Sequence, residues 1–521
     1  MKNTFGNPIL SGCYPDPSIC RAGNDFYLVT STFEYFPGLP IFHSRDLAHW
    51  RQIGHALTRE SQLPLQGVHS SGGLYAPTIR YANGVFYIIN TLVDGLSQSG
   101  NFIVTASDPA GPWSEPYWLD GADGIDPSLF FDADGCTWYV GSRMALNSQF
   151  EGHTEIWLQE LDLQAMHLIG EPVVLWEGAL KGARWAEAPH IYKVGEYYYL
   201  LIAEGGTAQH HAVTVARSKN IDGPYEANPG NPVLTHRHLG LDYPIVGTGH
   251  ADLVDTPSGE WWAVLLAMRP YGGYYYNLGR ETFLVPVRWE EDWPVFSPGT
   301  GKVEFEYPAP NLPQQPWPQP FARDNFDSDS LAFHWNSLRA SPECFASLSE
   351  RPGFLRLRLQ PERLAESASP SFIGRRQQHI SFYAQTEFEF LPGSRHECAG
   401  LALTQSPDFH YLLVVTLDDK PVLQLIKRVA GVEEILACAP ISVPRIRLKV
   451  EAREQSYSFY YADEAGNWQA LLEGVDGRIL STPVAGGFLG AYLGMYASSN
   501  GQQSNNQADF DWFEYAELLK S

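Results

Sequence analysis

The sequence predicts an all-β chain, a five-bladed β-propeller followed by an antiparallel β-sandwich. Three observations carry this reading. A hairpin signature recurs five times in roughly the first 300 residues. A proline-rich stretch then interrupts the pattern. Beyond it, alternating apolar strands take over, and helical periodicity is weak throughout.

The repeat comes first in the chain. Its starts are Asp16 in DPSICRAGNDFYLV, Ala76 in APTIRYANGVFYII, Asp126 in DPSLFFDADGCTWYV, Ala188 in APHIYKVGEYYYLL and His250 in HADLVDTPSGEWWAVL. Each unit joins a small or polar entry to an apolar residue, a Gly-bearing turn and an aromatic strand, which is how a hairpin reads. The starts are 60, 50, 62 and 62 residues apart. A second register agrees with the first: Ser44, Ser107 and Ser218 fall 28, 31 and 30 residues after the starts of their own units. Units of about 50–60 residues with about four strands each fit propeller blades. The propeller is expected over residues 1–306. YPAPNLPQQPWPQP then carries six prolines between 308 and 320, a stiff linker expected over 307–321. Strands such as FLRLRLQ, SFYAQTEFEF, YLLVVTL, PRIRLKVEA and YSFYYAD follow, and ADFDWFEYAEL closes a sandwich expected over 322–521 and packed against the propeller.

Composition narrows the partners. The formal net charge is −24, which repels nucleic acid. No run of about 18 apolar residues is present, so no membrane span is expected. The N-terminal MKNTFGNPIL has no apolar leader core, and the six scattered cysteines form no CxxC. Free thiols and a cytoplasmic location are the expectation. A homo-oligomer is left open. Aromatics make up 13 % of the chain; such rings suit stacking on sugars, although β-rich proteins use them in any case.

In a propeller the innermost strands line the axis, so their starts converge at one mouth. Asp16, Asp126, Glu187 just before Ala188, and His250 would therefore meet. Clustered carboxylates repel one another, and at least one should hold its proton to higher pH. A protonated acid beside an ionised base is what hydrolysis of a glycosidic bond needs. Arg280 in NLGRETF can hold sugar hydroxyls or orient a carboxylate, with a surface ion pair as the alternative. His250 can pack, or hold water or a metal at the axis. Phe33 in STFEYFPG and Tyr75 in GGLYAPT are candidate walls, and Thr207 in AEGGT offers a hydroxyl.

Taken together, YPDPSIC, STFEYFPGLPIFHSRDLAHW, GGLYAPTI, GIDPSLF, AEAPHIY, AEGGT, TGHADL and LGRETF resemble glycoside hydrolase family 43. The likeness is to its β-xylosidase and α-L-arabinofuranosidase branch, and it continues through GGFLGAYLGM and ADFDWFEY. The resemblance implies a concanavalin-like sandwich and an inverting, exo-acting enzyme that releases terminal β-D-xylose or α-L-arabinofuranose from short oligosaccharides. It implies Asp16 as general base, Glu187 as general acid and Asp126 as the acid that keeps the Glu187 pKa high. His250 and Arg280 match positions in the sugar pocket, and Phe488 in GGFLG matches an aromatic that reaches the pocket from the sandwich. No cofactor is required by this reading. A divalent cation, often calcium, near the axial His250 stays open, as does a calcium held by Asp327 and Asp511. One departure stands out: the position of Tyr75 usually carries Trp in the β-xylosidases.

Two other readings compete. Retaining fructosidases also join a propeller to a sandwich, but YPDPSIC lacks the Asn and Gly of their WMNDPNG-like segment. A non-catalytic sugar-binding propeller is the second, against which the retention of all three acids argues.

Overall fold

The computed structural model of the chain describes residues 3–318, 321–442, 444–463 and 465–518. The regular structure of the described residues is almost all β-strand, with Thr482–Ala485 the one short α-helix among them. Five antiparallel sheets succeed one another, and each has an inner strand: Ser18–Ala22, Thr78–Ala82, Ile125–Phe131, Glu187–Val194 and Val246–Asp255. Each inner strand touches the inner strand of the next sheet, and the fifth touches the first, so the sheets close a ring. The serine register of the sequence marks the end of the third strand in three sheets: Ser44 ends Gly38–Ser44, Ser218 ends Ala212–Ser218, and Ser107 follows Gly100–Ala106.

Polar groups from all five sheets lock the ring along its axis. Asp252 accepts hydrogen bonds from Ser18 Oγ at 2.6 Å and from Arg80 Nη1 at 2.8 Å. Arg80 Nη2 donates to His190 Nδ1 at 2.9 Å, and Ser128 Oγ lies 3.1 Å from the same nitrogen. Four of these residues, Ser18, Ser128, His190 and Asp252, sit two positions beyond a repeat start, so the strand period turns them to the same side. A buried ion pair with this many partners satisfies its charges in place, which is the condition for it not to destabilise.

The second half is two antiparallel sheets face to face. One contains Leu355–Arg358, Gln507–Glu517, Phe382–Glu389, Arg445–Arg453, Ser456–Ala462 and Trp468–Asp476. The other runs Ser371–Arg376, Tyr492–Ser498, Cys398–Ser406, Phe409–Leu417, Pro421–Val429 and Val432–Pro440. Leu355, Phe382, Phe388 and Phe510 from the first meet Leu401, Leu413 and Met495 from the second in one apolar core.

The proline-rich stretch is laid down on the ring rather than spanning open space. Glu306–Pro308 pairs with Thr4–Gly6. Gln315 N donates to Asp46 Oδ2 at 2.8 Å, and Trp317 Nε1 to His49 O at 3.2 Å. Residues 319 and 320, at its end, lie outside the described residues.

The two halves are joined at the segment Phe33–Phe36. Tyr35 and Phe36 pair with Leu338 and Ser337. The Tyr35 ring stacks on Tyr492 with centroids 3.8 Å apart. Between them Glu34 Oε2 accepts from Ser71 N at 3.0 Å, and Ser71 Oγ in turn accepts from Phe488 N at 2.9 Å.

Candidate active site

The sequence starts of the repeats owe their position to a local backbone device. Asp16, Asp126, Ala188 and His250 all adopt left-handed φ values, 54°, 54°, 53° and 52°. For residues with a Cβ this costs about 1–2 kcal/mol each. In the third, fourth and fifth sheets the strand ladder slips at the same place, between Ile125 and Ser128, Glu187 and His190, and Gly249 and Asp252. Such a bulge re-aims side chains and interrupts pairing. Glu187 precedes the repeat position by one residue, which Ala188 fills.

The nine residues that the sequence assigns to the catalytic and sugar site line one cavity of about 310 Å³: Asp16, Phe33, Tyr75, Asp126, Glu187, Thr207, His250, Arg280 and Phe488. Asp16 is held from two sides. Arg280 Nη1 donates to its Oδ1 at 2.6 Å, and Ser31 Oγ donates to its Oδ2 at 2.6 Å. The His250 Nδ1 atom lies 3.8 Å from Asp16 Oδ1. Asp126 Oδ2 accepts from the Ala188 N–H at 3.2 Å, which ties the third sheet to the backbone beside Glu187. Arg280 also lies 3.4 Å from Thr207 Oγ1 and 3.4 Å from the Phe488 carbonyl. Three rings close one side: Phe33 lies 5.7 Å from Tyr75 and 6.0 Å from Phe488, and Tyr75 lies 5.9 Å from Phe488. Phe488 is the contribution of the sandwich.

Burial and mutual repulsion raise two of the carboxyl groups. Burial, and then the charge of Asp16, push Asp126 up to about 7. Burial, then Asp126, then Asp16 drive Glu187 well above the usual carboxylate range. Burial lowers His250, which keeps its imidazole neutral. A carboxyl that binds its proton more tightly when folded adds stability below its unfolded pKa, and loses that contribution as pH rises through the folded value. For Asp126 the window runs from the ordinary carboxylate range to about 7. Two results are therefore expected of Asp126→Asn. The basic limb of the pH–kcat/KM profile shifts to lower pH, because one of the charges holding the Glu187 proton is gone. The melting temperature rises more at about pH 8 than at about pH 5. A basic limb that stays in place would show that Asp126 does not sustain the Glu187 proton.

The residues present do not fit a resident calcium. Calcium takes about six to eight oxygen ligands. His250 offers a nitrogen, and Asp16 beside it is engaged by Arg280 and Ser31. Among the described residues no group of three or more His, Cys, Asp or Glu is arranged to hold a metal. In the sandwich, Asp511 is paired with Arg445.

The structure adds residues that the sequence reading did not name. Ser31 shares the grip on Asp16. Trp185, Ile125 and Gly206 complete the lining together with Ala76, the start of the second repeat. The available signal for Trp185 was its spacing: it stands two residues before Glu187 in RWAEAPH. Ser31 also had a signal: the two-residue Gly23-Asn24 turn pairs Ala22 with Asp25 and Ser18 with Val29, and the same register carried onward sets Ser31 opposite Asp16.

Comparison with known proteins agrees with this geometry. The family model for Glycosyl hydrolases family 43 matches residues 5–294, and that for the Beta xylosidase C-terminal Concanavalin A-like domain matches residues 323–516. The chain is 48 % identical to a "Xylosidase/arabinosidase" of Butyrivibrio fibrisolvens, over 98 % of this chain and 99 % of that one. It is 42 % identical to the "Non-reducing end alpha-L-arabinofuranosidase BoGH43B" of Bacteroides ovatus, over 99 % of this chain and 95 % of that one. A solved xylan beta-1,4-xylosidase from Bacillus halodurans C-125 superposes with a TM-score of 0.94 at 38 % identity, over 98 % of this chain and all of that one. With its acids gathered in one pocket and both of its halves matched, the chain belongs to glycosyl hydrolase family 43 and is a glycosidase.

Proposed function

We propose that the chain is an inverting exo-glycosidase that removes terminal β-D-xylosyl and α-L-arabinofuranosyl residues from short (arabino)xylo-oligosaccharides. The observation that carries the reading is a small pocket where Asp16, Asp126 and Glu187 meet behind a wall of three aromatic rings. At about 310 Å³ it lies near the low end of the roughly 300–1,000 Å³ spanned by ligand pockets, which suits a chain end better than a chain interior. The five sheets of the ring are read as five blades, with domains over 1–306 and 322–521 joined by 307–321. All six cysteines are unpaired, which supports a reducing compartment, the cytoplasm.

In the proposed mechanism Asp16 takes a proton from water as that water attacks the anomeric carbon, and Glu187 gives its proton to the departing oxygen. Arg280 and Ser31 fix the Asp16 carboxylate in one orientation, so little reorganisation is needed at the moment of reaction. Hydrolysis of nitrophenyl β-D-xyloside and α-L-arabinofuranoside, with the anomer released followed by NMR, tests the reading. A retained configuration would overturn the inverting assignment and favour a covalent intermediate.

The dual sugar choice rests on Tyr75 and on the relatives. The relative from Butyrivibrio fibrisolvens is named for both activities. Tyr75 is half-buried in the pocket wall, where a phenol leaves more room than an indole. Tyr75→Trp is expected to move the ratio of xyloside to arabinofuranoside kcat/KM toward the xyloside. One contact of this kind is worth about 10- to 200-fold in selectivity. An unchanged ratio would remove Tyr75 from the specificity argument.

A further inference from the structure

Trp185 is the one large aromatic side chain of the pocket that the proposed mechanism leaves without a task, and its surroundings are specific. Its backbone is left-handed, φ 59°, and its N–H donates to Gly152 O at 2.8 Å. Its indole is seated between two glycine turns from different sheets. A Cβ placed on Gly152 would lie 2.9 Å from the indole Cε2, and one placed on Gly206 would lie 3.1 Å from Cδ1. Both glycines also have left-handed φ, 75° and 71°. The next turn holds the preceding residue as well, since Gly205 N donates to Arg184 O at 2.8 Å. Two neighbouring loops thus leave out side chains where the ring sits. The ring is nonetheless 37 % exposed.

A strained left-handed backbone beneath a partly exposed indole calls for a functional account. Trp185 is not part of the Phe33–Tyr75–Phe488 wall, whose rings pack on one another; among the described residues it makes no ring contact with them. It is a second and separate aromatic surface of the same cavity. Its place in the chain says which part of the substrate it meets. It lies two residues before Glu187, and a group that protonates the departing oxygen has the departing sugar for its neighbour. A pyranose ring presents an apolar C–H face that a flat indole can cover.

The geometry points to Trp185 as the platform of a leaving-group subsite, on which the sugar ring released from the bond stacks. The inference rests on the proposed role of Glu187. It assigns the substrate class more narrowly: the group next to the scissile bond is a pyranosyl unit with an uncovered apolar face, not merely any alcohol.

The test uses the full chain and two substrates with the same terminal sugar. One is xylobiose, whose leaving group is a pyranose. The other is β-D-xylosyl fluoride, whose leaving group has no ring to stack. Trp185→Ala is expected to lower kcat/KM on xylobiose by about 10- to 100-fold, and to leave the fluoride within about twofold of wild type. Trp185→Phe should recover most of the loss. Undiminished turnover of the fluoride also reports that the variant is folded. An equal loss on both substrates would overturn the inference, placing Trp185 in the terminal-sugar site, and so would no loss on either. A wild-type chain inactive on both substrates would instead overturn the proposed function, and this inference with it.

Discussion

Glu187→Gln is expected to lower kcat on xylo-oligosaccharides by about 10²- to 10⁴-fold, the range typical for removal of a general acid. The amide keeps the shape of the side chain but has no proton to give. The loss should shrink on aryl glycosides whose phenol leaves without help. Glu187 suits the task because burial, Asp126 and Asp16 all favour its protonated form. Asp16→Asn should instead damage both substrate types, since the attacking water needs its base whichever group departs. That variant also strips Arg280, itself 7 % exposed, of its carboxylate partner. A buried charge left unpaired destabilises by about 3–5 kcal/mol, so a melting curve must accompany the kinetics. Near-normal turnover by Asp16→Asn would end its assignment as the base. A loss in Glu187→Gln that is the same for good and poor leaving groups would end that of the acid.

Much of this site was legible in the sequence because a ring of repeated sheets imposes a rule on it. Four of the five repeat starts share a left-handed turn, and three inner strands enter through a bulge; the Asp-Pro, Ala-Pro, Asp-Pro, Ala-Pro and His-Ala pairs mark the five entries in the chain. Residues that far apart in sequence could be grouped without coordinates, and Asp16, Asp126, Glu187 and His250 line one cavity. What escaped were contacts that depend on loops. Ser31 escaped for another reason: the hairpin register that pairs Ser18 with Val29 sets it opposite Asp16 only when carried past the strand ends, and the repeat starts alone do not show that. Trp185 reads in the sequence as one more aromatic ahead of a strand; its exposure depends on Gly152 and Gly206, which stand 33 residues before it and 21 after it in the chain. The proline-rich stretch reads as a spacer by composition. Its hydrogen bonds to Asp46 and His49 are tertiary and leave no local trace.

Gly490→Val is expected to cost about 10²-fold in kcat/KM while lowering stability only modestly. The argument begins with two backbones passing each other where the sandwich meets the ring. A Cβ on Gly490 would lie 2.7 Å from the carbonyl carbon and oxygen of Leu278 and 2.8 Å from Gly279 N. A Cβ on Gly279 would lie 2.8 Å from Gly490 N, and Gly279 has φ 68° besides. These obstacles are main chain and cannot swing aside, so a valine must push the two segments apart. Hydrogen bonds fix the same spot, from Gly490 N to Cys13 Sγ at 3.2 Å and from Ala491 N to Asn277 O at 2.7 Å. Arg280 follows Gly279 directly, and Phe488 stands two residues before Gly490. The wedge therefore displaces together the guanidinium that holds Asp16 and the ring that closes the sugar pocket. A misplacement of about 1 Å at reacting groups can cost about 10²-fold, whereas overpacking typically destabilises by about 1–3 kcal/mol. The loss should fall on both the xyloside and the arabinofuranoside, because both need Asp16 oriented. Kinetics on the two nitrophenyl glycosides beside a thermal melt make the comparison. A variant with a lowered melting temperature but activity within about twofold of wild type would mean that the sandwich supports the ring without shaping its pocket, and that Phe488 is a bystander.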